Sequence, residues 1–277
     1  MNIIQGIIIG IVQGLTEFLP VSSSAHLVFI QNILGVESSL AFDTFLHLGS
    51  LLAVLWFFRS DIIKMIQSWF SSIHDLLQGR FRQGFIDDPY KRLSWYVILG
   101  TIPVGIVGVL FEDSVDSLFA GALYVPAFFL FVTGTILYLS QRMASGNINF
   151  NNIGAKEALF MGLGQACAIL PGLSRSGTTI ASGLVIGLDK EFAAKFSFIL
   201  SIPAILGAFL VQLKDIGSAM DANFLPIFLG FIAAFIAGYA AIKWMLDLIQ
   251  KRSLDIFAYY CWVVAIVVFM GSISHIF

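Results

Sequence analysis

Charge is what this chain has least of. Only 12% of its residues are charged while 58% are hydrophobic, and the mean hydropathy is +0.91. A soluble globular domain carries roughly 25% charged residues, so the composition excludes that class and predicts an integral membrane protein. Cysteine is nearly absent. Cys167 and Cys261 both lie in apolar sequence, which predicts two small core residues and no disulfide. The first apolar stretch has no basic n-region and runs straight into polar sequence, so it does not read as a cleavable signal peptide. Nothing points to a nucleic-acid partner. Proline is also scarce, with seven in the chain, and two of the seven open short polar loops inside apolar sequence.

The first loop is Leu19-Pro20-Val21-Ser22-Ser23-Ser24-Ala25-His26, and the second is Leu170-Pro171-Gly172-Leu173-Ser174-Arg175-Ser176-Gly177. Both follow Leu-Pro with hydroxyls crowded around one cation-capable side chain. Such interruptions are costly at membrane depth unless they line a cavity. Around them, six stretches are long enough to cross a bilayer, at about 20 residues each: roughly 40–58, 94–111, 122–141, 192–212, 224–246 and 256–275. The apolar arms 3–18 with 25–34, and 155–169 with 178–188, are too short and are broken at the loops. They predict two re-entrant helix–loop–helix pairs, with two kinked full-length spans as the alternative. The expected fold is thus an all-α integral membrane domain over 1–277, with six transmembrane helices and two re-entrant pairs.

Basic residues set the expected sidedness. Arg59, Lys64, Arg80, Arg82, Lys91 and Arg92 lie in or beside the 59–92 loop, and Arg142 and Lys156 bracket the next. Lys190, Lys195, Lys243, Lys251 and Arg252 complete a set of thirteen of the 15 Lys and Arg, which the positive-inside rule places in the cytoplasm. The 112–121 loop carries Glu112, Asp113 and Asp116 and no basic residue, as expected outside, where Lys214 also falls. Both termini are then outside. The first polar loop enters from the outer face and the second from the cytoplasmic face.

The two halves resemble each other. Shifting the chain by ~151 residues, an offset taken from the motifs as the repeat test requires, sets Leu19, Pro20 and Ser23 on Leu170, Pro171 and Ser174. It also sets Phe45, Ser50, Ala53 and Leu55 on Phe196, Ser201, Ala204 and Leu206. Each half reads as a broken pair followed by three spans. An odd number of crossings inverts the second copy, so an inverted-topology repeat is expected, with repeat 1 at about 1–141 and repeat 2 at about 152–277. Loops from opposite faces then meet to build one polar site.

Several side chains there carry chemistry. Gln13 and Glu17 share a helix face. Glu17 reads as a metal ligand or general base, or else as a carboxylate solvated near the membrane surface. Ser22, Ser23 and Ser24 follow the break, where serine caps a helix and a helix N-terminus also holds phosphate. His26 is one turn further on and reads as catalytic, against a satisfied core histidine. Arg175 needs an anion or a partner at this depth. With Ser174, Ser176, Gly177, Thr178 and Thr179 it forms a phosphate-gripping set, the alternative being a structural ion pair with Glu17. Asp43 and His47 are within reach of the site or at a solvated helix end.

At these residues the sequence resembles the undecaprenyl-diphosphatase (bacitracin-resistance) family. The first signature, Glu/Gln-x-x-x-Glu leading into Pro-Val-Ser-Ser-x-x-His, runs from Gln13 to His26. The second, Pro-Gly-x-Ser-Arg-Ser-Gly, runs from Pro171 to Gly177. The resemblance covers essentially the whole chain. It implies a phosphatase of the cell membrane that hydrolyses polyprenyl diphosphate to the monophosphate at the outer face, recycling the lipid carrier of cell-wall glycan synthesis. It also implies a divalent cation, Mg²⁺ or Ca²⁺, and catalytic roles at Glu17, Ser23, His26 and Arg175. Many members carry glutamate where this chain has Gln13, and glycine at Ala25, so Gln13 offers the metal only a neutral contact beside Glu17. Monomer and homodimer stay open. For the nucleophile, Ser23 attacks with His26 as base, or His26 attacks or activates water while Ser23 orients the phosphate. A polyprenyl-phosphate translocase is the competing class, since inverted repeats with broken helices also make transporters.

Overall fold

The computed structural model describes the backbone of all residues except 38–39, 120–122 and 274–277. It describes all side chains except those of 38–41, 112–122, 213–223 and 274–277. Glu112, Asp113, Asp116, Lys214 and His275 therefore lie outside the described side chains. In chain order the helices are α1 (Ile3–Phe18), α2 (Ser23–Ile33), α3 (Leu40–Phe57), α4 (Arg59–Leu77), α5 (Phe81–Asp87) and α6 (Pro89–Phe119). They continue with α7 (Tyr124–Met143), α8 (Ala155–Cys167), α9 (Arg175–Val185), α10 (Lys190–Lys251) and α11 (Asp255–Ile273). Among the described residues the only β pairing is a single bridge between Ile148 and Leu188.

Five segments are long and apolar enough to cross a membrane: Pro89–Phe111, Tyr124–Met143, Lys190–Gln212, Phe224–Lys251 and Asp255–Ile273. A sixth arises if α3 is counted with α4, from which it is bent by 80°. The chain is a multi-pass all-helical membrane protein. The broken arms are as short as their sequence indicates: α1 has 16 residues, α8 has 13, and α2 and α9 have 11 each. At about 1.5 Å per residue none spans a hydrocarbon core of about 30 Å, dimensions compatible with re-entrant pairs. The sequence reading of 59–92 as a loop is corrected here, because most of it is helical. α4 packs Met65 and Ser72 inward and leaves Ile63, Ile66, Phe70 and Leu77 exposed. Those four share one helix face, a pattern that a search for 20-residue apolar runs passes over.

Packing fixes the relative directions. Along α3, Thr44 bonds Gln212 and Phe58, at its end, meets Phe198, so α3 and Lys190–Gln212 are antiparallel. Gly49 lies against the Phe231 carbonyl, and Ala53 against Gly238, so α3 and Phe224–Lys251 are parallel. α11 lies antiparallel to α7, with Asp255 on Arg142 and Trp262 on Phe131. Polar contacts gather one end of the bundle: Lys195 with Asp61, Arg92 with the Asn151 carbonyl, and Gln250 with Glu191. All belong to the segments that the charge count sets on one face.

α1 is held by backbone contact. Gly6, Gly10 and Gly14 recur every fourth residue, and a Cβ on them would strike Pro226, Gly230 and Ala234 respectively. Small residues at this spacing let two helix backbones approach closely, which in lipid replaces the hydrophobic drive available in water. The contact seats the C-terminal turn of α1 deep in the bundle, where Phe18 is fully buried edge-on to Phe198 at 5.4 Å. Replacing Gly10 by leucine is expected to lower stability by about 3 kcal/mol or more through overpacking. Gly105→Leu, where an added Cβ meets open space, serves as the neutral control. Thermal melts of the two purified variants check this, and equal melting points would refute the close-contact account.

Candidate active site

The two polar loops meet. The Ser24 hydroxyl accepts from the Gly172 amide at 3.3 Å, and the Ser176 hydroxyl donates to the Leu19 carbonyl at 3.0 Å. Each loop thus bonds the other's backbone. Each also starts its helix in the same way. Ser22 caps α2 by accepting from Ala25 N, and Ser174 caps α9 by accepting from Gly177 N. Ser23 and Arg175 are consequently both the first residue of an 11-residue helix. The motif alignment sets Ser23 against Ser174. By helix position Ser23 stands with Arg175 instead, because the second loop has one more residue between its proline and its cap. The backbone turns sharply in both: Ser22 has φ +68° and Gly172 φ +94°. At Gly172 a side chain would also strike the Pro126 carbonyl, so glycine is required there.

Glu17 is the centre of the site. It is buried in α1, and four side chains converge on its carboxylate. Arg175 pairs with Oε1. Gln13 Nε2 donates to Oε2 at 2.9 Å, and the Ser23 hydroxyl donates to the same oxygen at 2.6 Å. His47 Nε2 lies 3.6 Å from it. The ion pair with Arg175, weighed above as the alternative to a phosphate grip, is present. The pair does not use up the guanidinium, since Arg175 Nη1 is buried without a hydrogen-bond partner. Gln13 Oε1 is likewise buried and unpartnered. Orphaned buried donors and acceptors are rare and ask for a ligand, a water or an ion.

His26 is placed differently from the expectation. Its Nδ1 lies 2.8 Å from the Ser22 carbonyl and its Nε2 lies 2.8 Å from the Tyr260 hydroxyl, with the two rings stacked at 10°. A carbonyl only accepts, so Nδ1 carries a proton and donates to Ser22, while Nε2 and the Tyr260 hydroxyl share the second bond. Among the described residues no hydrogen bond joins His26 to Ser23; the acceptor for the Ser23 hydroxyl is Glu17. Thr178 and Thr179 donate to the carbonyls of Ser174 and Arg175 at 2.8 Å each, and Thr179 also bonds Ser197. Their hydroxyls brace α9. Ser174, Ser176 and Gly177 likewise make the loop contacts given above.

The sequence reading missed three supports. Thr133 on α7 accepts from Ser174 N at 3.0 Å and lies 3.4 Å from the Gly172 carbonyl, fixing the second loop. Tyr260 on α11 holds His26, and Cys261 beside it reaches the Pro20 carbonyl at 3.6 Å. These are single residues in apolar spans, with no local motif to mark them. Asp43 and His47 do belong here: the Asp43 carbonyl lies 2.7 Å from His47 Nδ1, and Gln31 Nε2 donates to the Asp43 carboxylate at 2.6 Å. His47 is a third exposed, against 16% for the Arg175 side chain and 5% for that of Glu17, so it is an open edge of the set.

For a metal, the chain offers Glu17 and Gln13 Oε1. Among the described residues there is no group of three or more His, Cys, Asp or Glu with metal-ligand spacing.

Comparison with known proteins agrees with the motifs. The model of the family described as bacitracin resistance protein BacA matches residues 6–267. An undecaprenyl-diphosphatase of Methanobrevibacter smithii is 78% identical over 277 residues, covering 100% of both chains. Proteins of the same name from Methanosphaera stadtmanae and Carboxydothermus hydrogenoformans are 47% and 40% identical, covering 99% and 97% of each chain. With the match running almost end to end and the two signature loops joined around one buried carboxylate, the chain belongs to the bacitracin resistance protein BacA family.

Proposed function

We propose that this chain is an integral membrane phosphatase that hydrolyses undecaprenyl, or another polyprenyl, diphosphate to the monophosphate and inorganic phosphate. The observation that carries the reading is the Ser23 hydroxyl donating to the buried Glu17 carboxylate at 2.6 Å, with Arg175 on the other carboxylate oxygen. A nucleophile, a base and an anion-gripping cation meet at one point at the junction of the two loops.

The geometry supports a version of the chemistry in which Glu17, rather than His26, takes the serine proton. The Ser23 oxygen attacks the terminal phosphorus while its proton passes to Glu17 Oε2. The bond from that phosphorus to the bridging oxygen breaks, and the prenyl monophosphate leaves. Water then attacks the phosphoserine, giving up its proton to solvent as Glu17 returns one to the serine oxygen. Arg175 Nη1 faces the phosphate oxygens. The first two amides of α2 and of α9, at Ser23, Ser24, Arg175 and Ser176, have no intrahelical partner and add donors. His26 and Tyr260 hold the strained Ser22 turn, and so set where Ser23 points.

The same loop contact supports the inverted repeat and the two re-entrant pairs: equivalent helix starts, reciprocal bonds, and glycine contacts of α1 on Phe224–Lys251 and of α8, through Gly162, on Gly100 of α6. The charge pattern supports termini outside and a site open to the outer face, where the prenyl tail stays in lipid. Translocation needs a phosphate grip, whereas a serine hydrogen-bonded to a buried carboxylate serves covalent chemistry, so hydrolysis is the favoured class.

Three outcomes test this. Phosphate release from a prenyl diphosphate by purified protein in detergent, where no compartments exist, is expected; none at all sinks the enzyme reading. Brief reaction with terminally labelled substrate should leave the label on Ser23, and Glu17→Gln should cut turnover by roughly 10²-fold or more; label on His26 would refute the proton path. Arg175→Ala should abolish turnover and lower stability by about 3–5 kcal/mol, because Glu17 is left buried and unpaired. Adding Glu17→Gln to Arg175→Ala should recover most of that stability and none of the activity. An active double variant would reduce Arg175 to a structural partner.

A further inference from the structure

We infer that the divalent cation expected at Glu17 is not held by the free protein and enters only together with the diphosphate. The inference rests on the reading of this site as a diphosphate site. Mg²⁺ or Ca²⁺ takes roughly six to eight oxygen ligands, and a resident site supplies several of them as carboxylates. Here Glu17 is the one carboxylate on which the loop side chains converge, the nearby Asp43 carboxylate accepting from Gln31 instead, and donors surround it. Arg175 holds Oε1, while Gln13 Nε2, Ser23 Oγ and His47 Nε2 approach Oε2 at 2.9, 2.6 and 3.6 Å. A bare cation would have to displace a guanidinium, an amide and a hydroxyl from the same group. No cluster of three acidic, histidine or cysteine side chains with metal spacing stands in for them among the described residues.

Charge gives the same answer. At the Glu17 carboxylate itself, Glu17 and Arg175 sum to zero, and Gln13 and Ser23 are neutral. A dication moved into this buried position would meet no net negative charge, and desolvating it would go uncompensated. A prenyl diphosphate changes both counts, because it brings several negative charges and its own oxygens. The guanidinium has a buried, unpartnered Nη1 ready for a phosphate oxygen. As Arg175 turns toward that anion, Glu17 Oε1 is released. Glu17 and the free Gln13 Oε1 are then the two contacts the chain has to offer, a share suited to Mg²⁺, which binds mostly through substrate phosphates and water. The neutral amide at position 13 is thus what keeps the resting site free of metal.

Mn²⁺ tests this as a paramagnetic probe, its binding to the purified full chain in detergent read by electron paramagnetic resonance. Farnesyl methylenediphosphonate, whose P–C–P bridge resists cleavage, serves as the anion. The protein alone is expected to bind less than about 0.1 Mn²⁺ per chain under conditions where the analogue-loaded protein binds about one. Gln13→Glu, which gives the site a net negative charge, is expected to bind Mn²⁺ at least about tenfold more tightly without the analogue. Stoichiometric Mn²⁺ on the free wild-type chain, lost in Glu17→Gln, overturns the inference and leaves the phosphatase reading intact. So does analogue that binds without bringing Mn²⁺. A folded Gln13→Glu chain that gains no Mn²⁺ overturns the charge argument. Analogue that fails to bind with or without Mn²⁺ overturns the diphosphate reading itself.

Discussion

A carboxylate buried among membrane helices has to be answered, and the answer organises this protein. Glu17 lies where an unpaired charge is costly, and the chain brings it four partners from four helices. Gln13 comes from its own helix, Ser23 from the next one, His47 from α3 and Arg175 from the other half of the molecule. Arg175 arrives across a sequence separation of 158 residues. The loops that deliver Ser23 and Arg175 are costly in their own right, and each satisfies one backbone group of the other. Ser24 and Ser176 serve this purpose, and Thr133 and Cys261 complete it from the flanking helices. The result is a polar knot in which the two loops are tied to each other and to the flanking helices.

The scaffold follows from where that knot must sit. α1 is too short to be anchored by its own hydrophobic length, so it is wedged by backbone contact along Gly6, Gly10 and Gly14. The parallel course of α3 beside Phe224–Lys251 then places His47 against Glu17 from the side. Reactivity and stability are drawn from one interaction, since the ion pair that makes the buried carboxylate tolerable also presents a free guanidinium nitrogen to an incoming anion. A buried charge held by several converging partners tolerates substitution poorly, because its partners act as a unit rather than as additive parts.

Much of this was legible in the sequence, and the remainder has a physical reason for being hidden. The spans and breaks follow from hydropathy and from Leu-Pro, because membrane cost is a local property of the chain. The residues around Glu17 stand out because polar groups in apolar sequence need a reason. The pairing of His26 was not readable. Three residues of spacing put it on the side of Ser23, but its ring turns to Tyr260, which comes from the last helix and looks like any interfacial tyrosine. Thr178 and Thr179 read as phosphate ligands by composition, yet a threonine at the start of a helix readily donates to a carbonyl a turn back, and theirs do. α4 was hidden because an amphipathic helix with charged residues resembles a loop when only long apolar runs are sought. The single-residue difference between motif register and helix register at Ser23 could be seen only once both N-caps were located.

The contact between His26 and Tyr260 spans a sequence separation of 234 residues, and it bears on how the protein is made. A ribosome delivers α2 early and α11 last. Until α11 has inserted beside α7, His26 Nε2 lacks its hydroxyl partner, and the Pro20 carbonyl lacks the Cys261 thiol. Arg175 is also still to come when Glu17 first enters the bilayer. The nascent protein therefore holds Glu17 with Gln13, Ser23 and His47 but without its cation until the second half of the chain is made, and the contacts of the first loop with Tyr260 and Cys261 form only when the final helix docks.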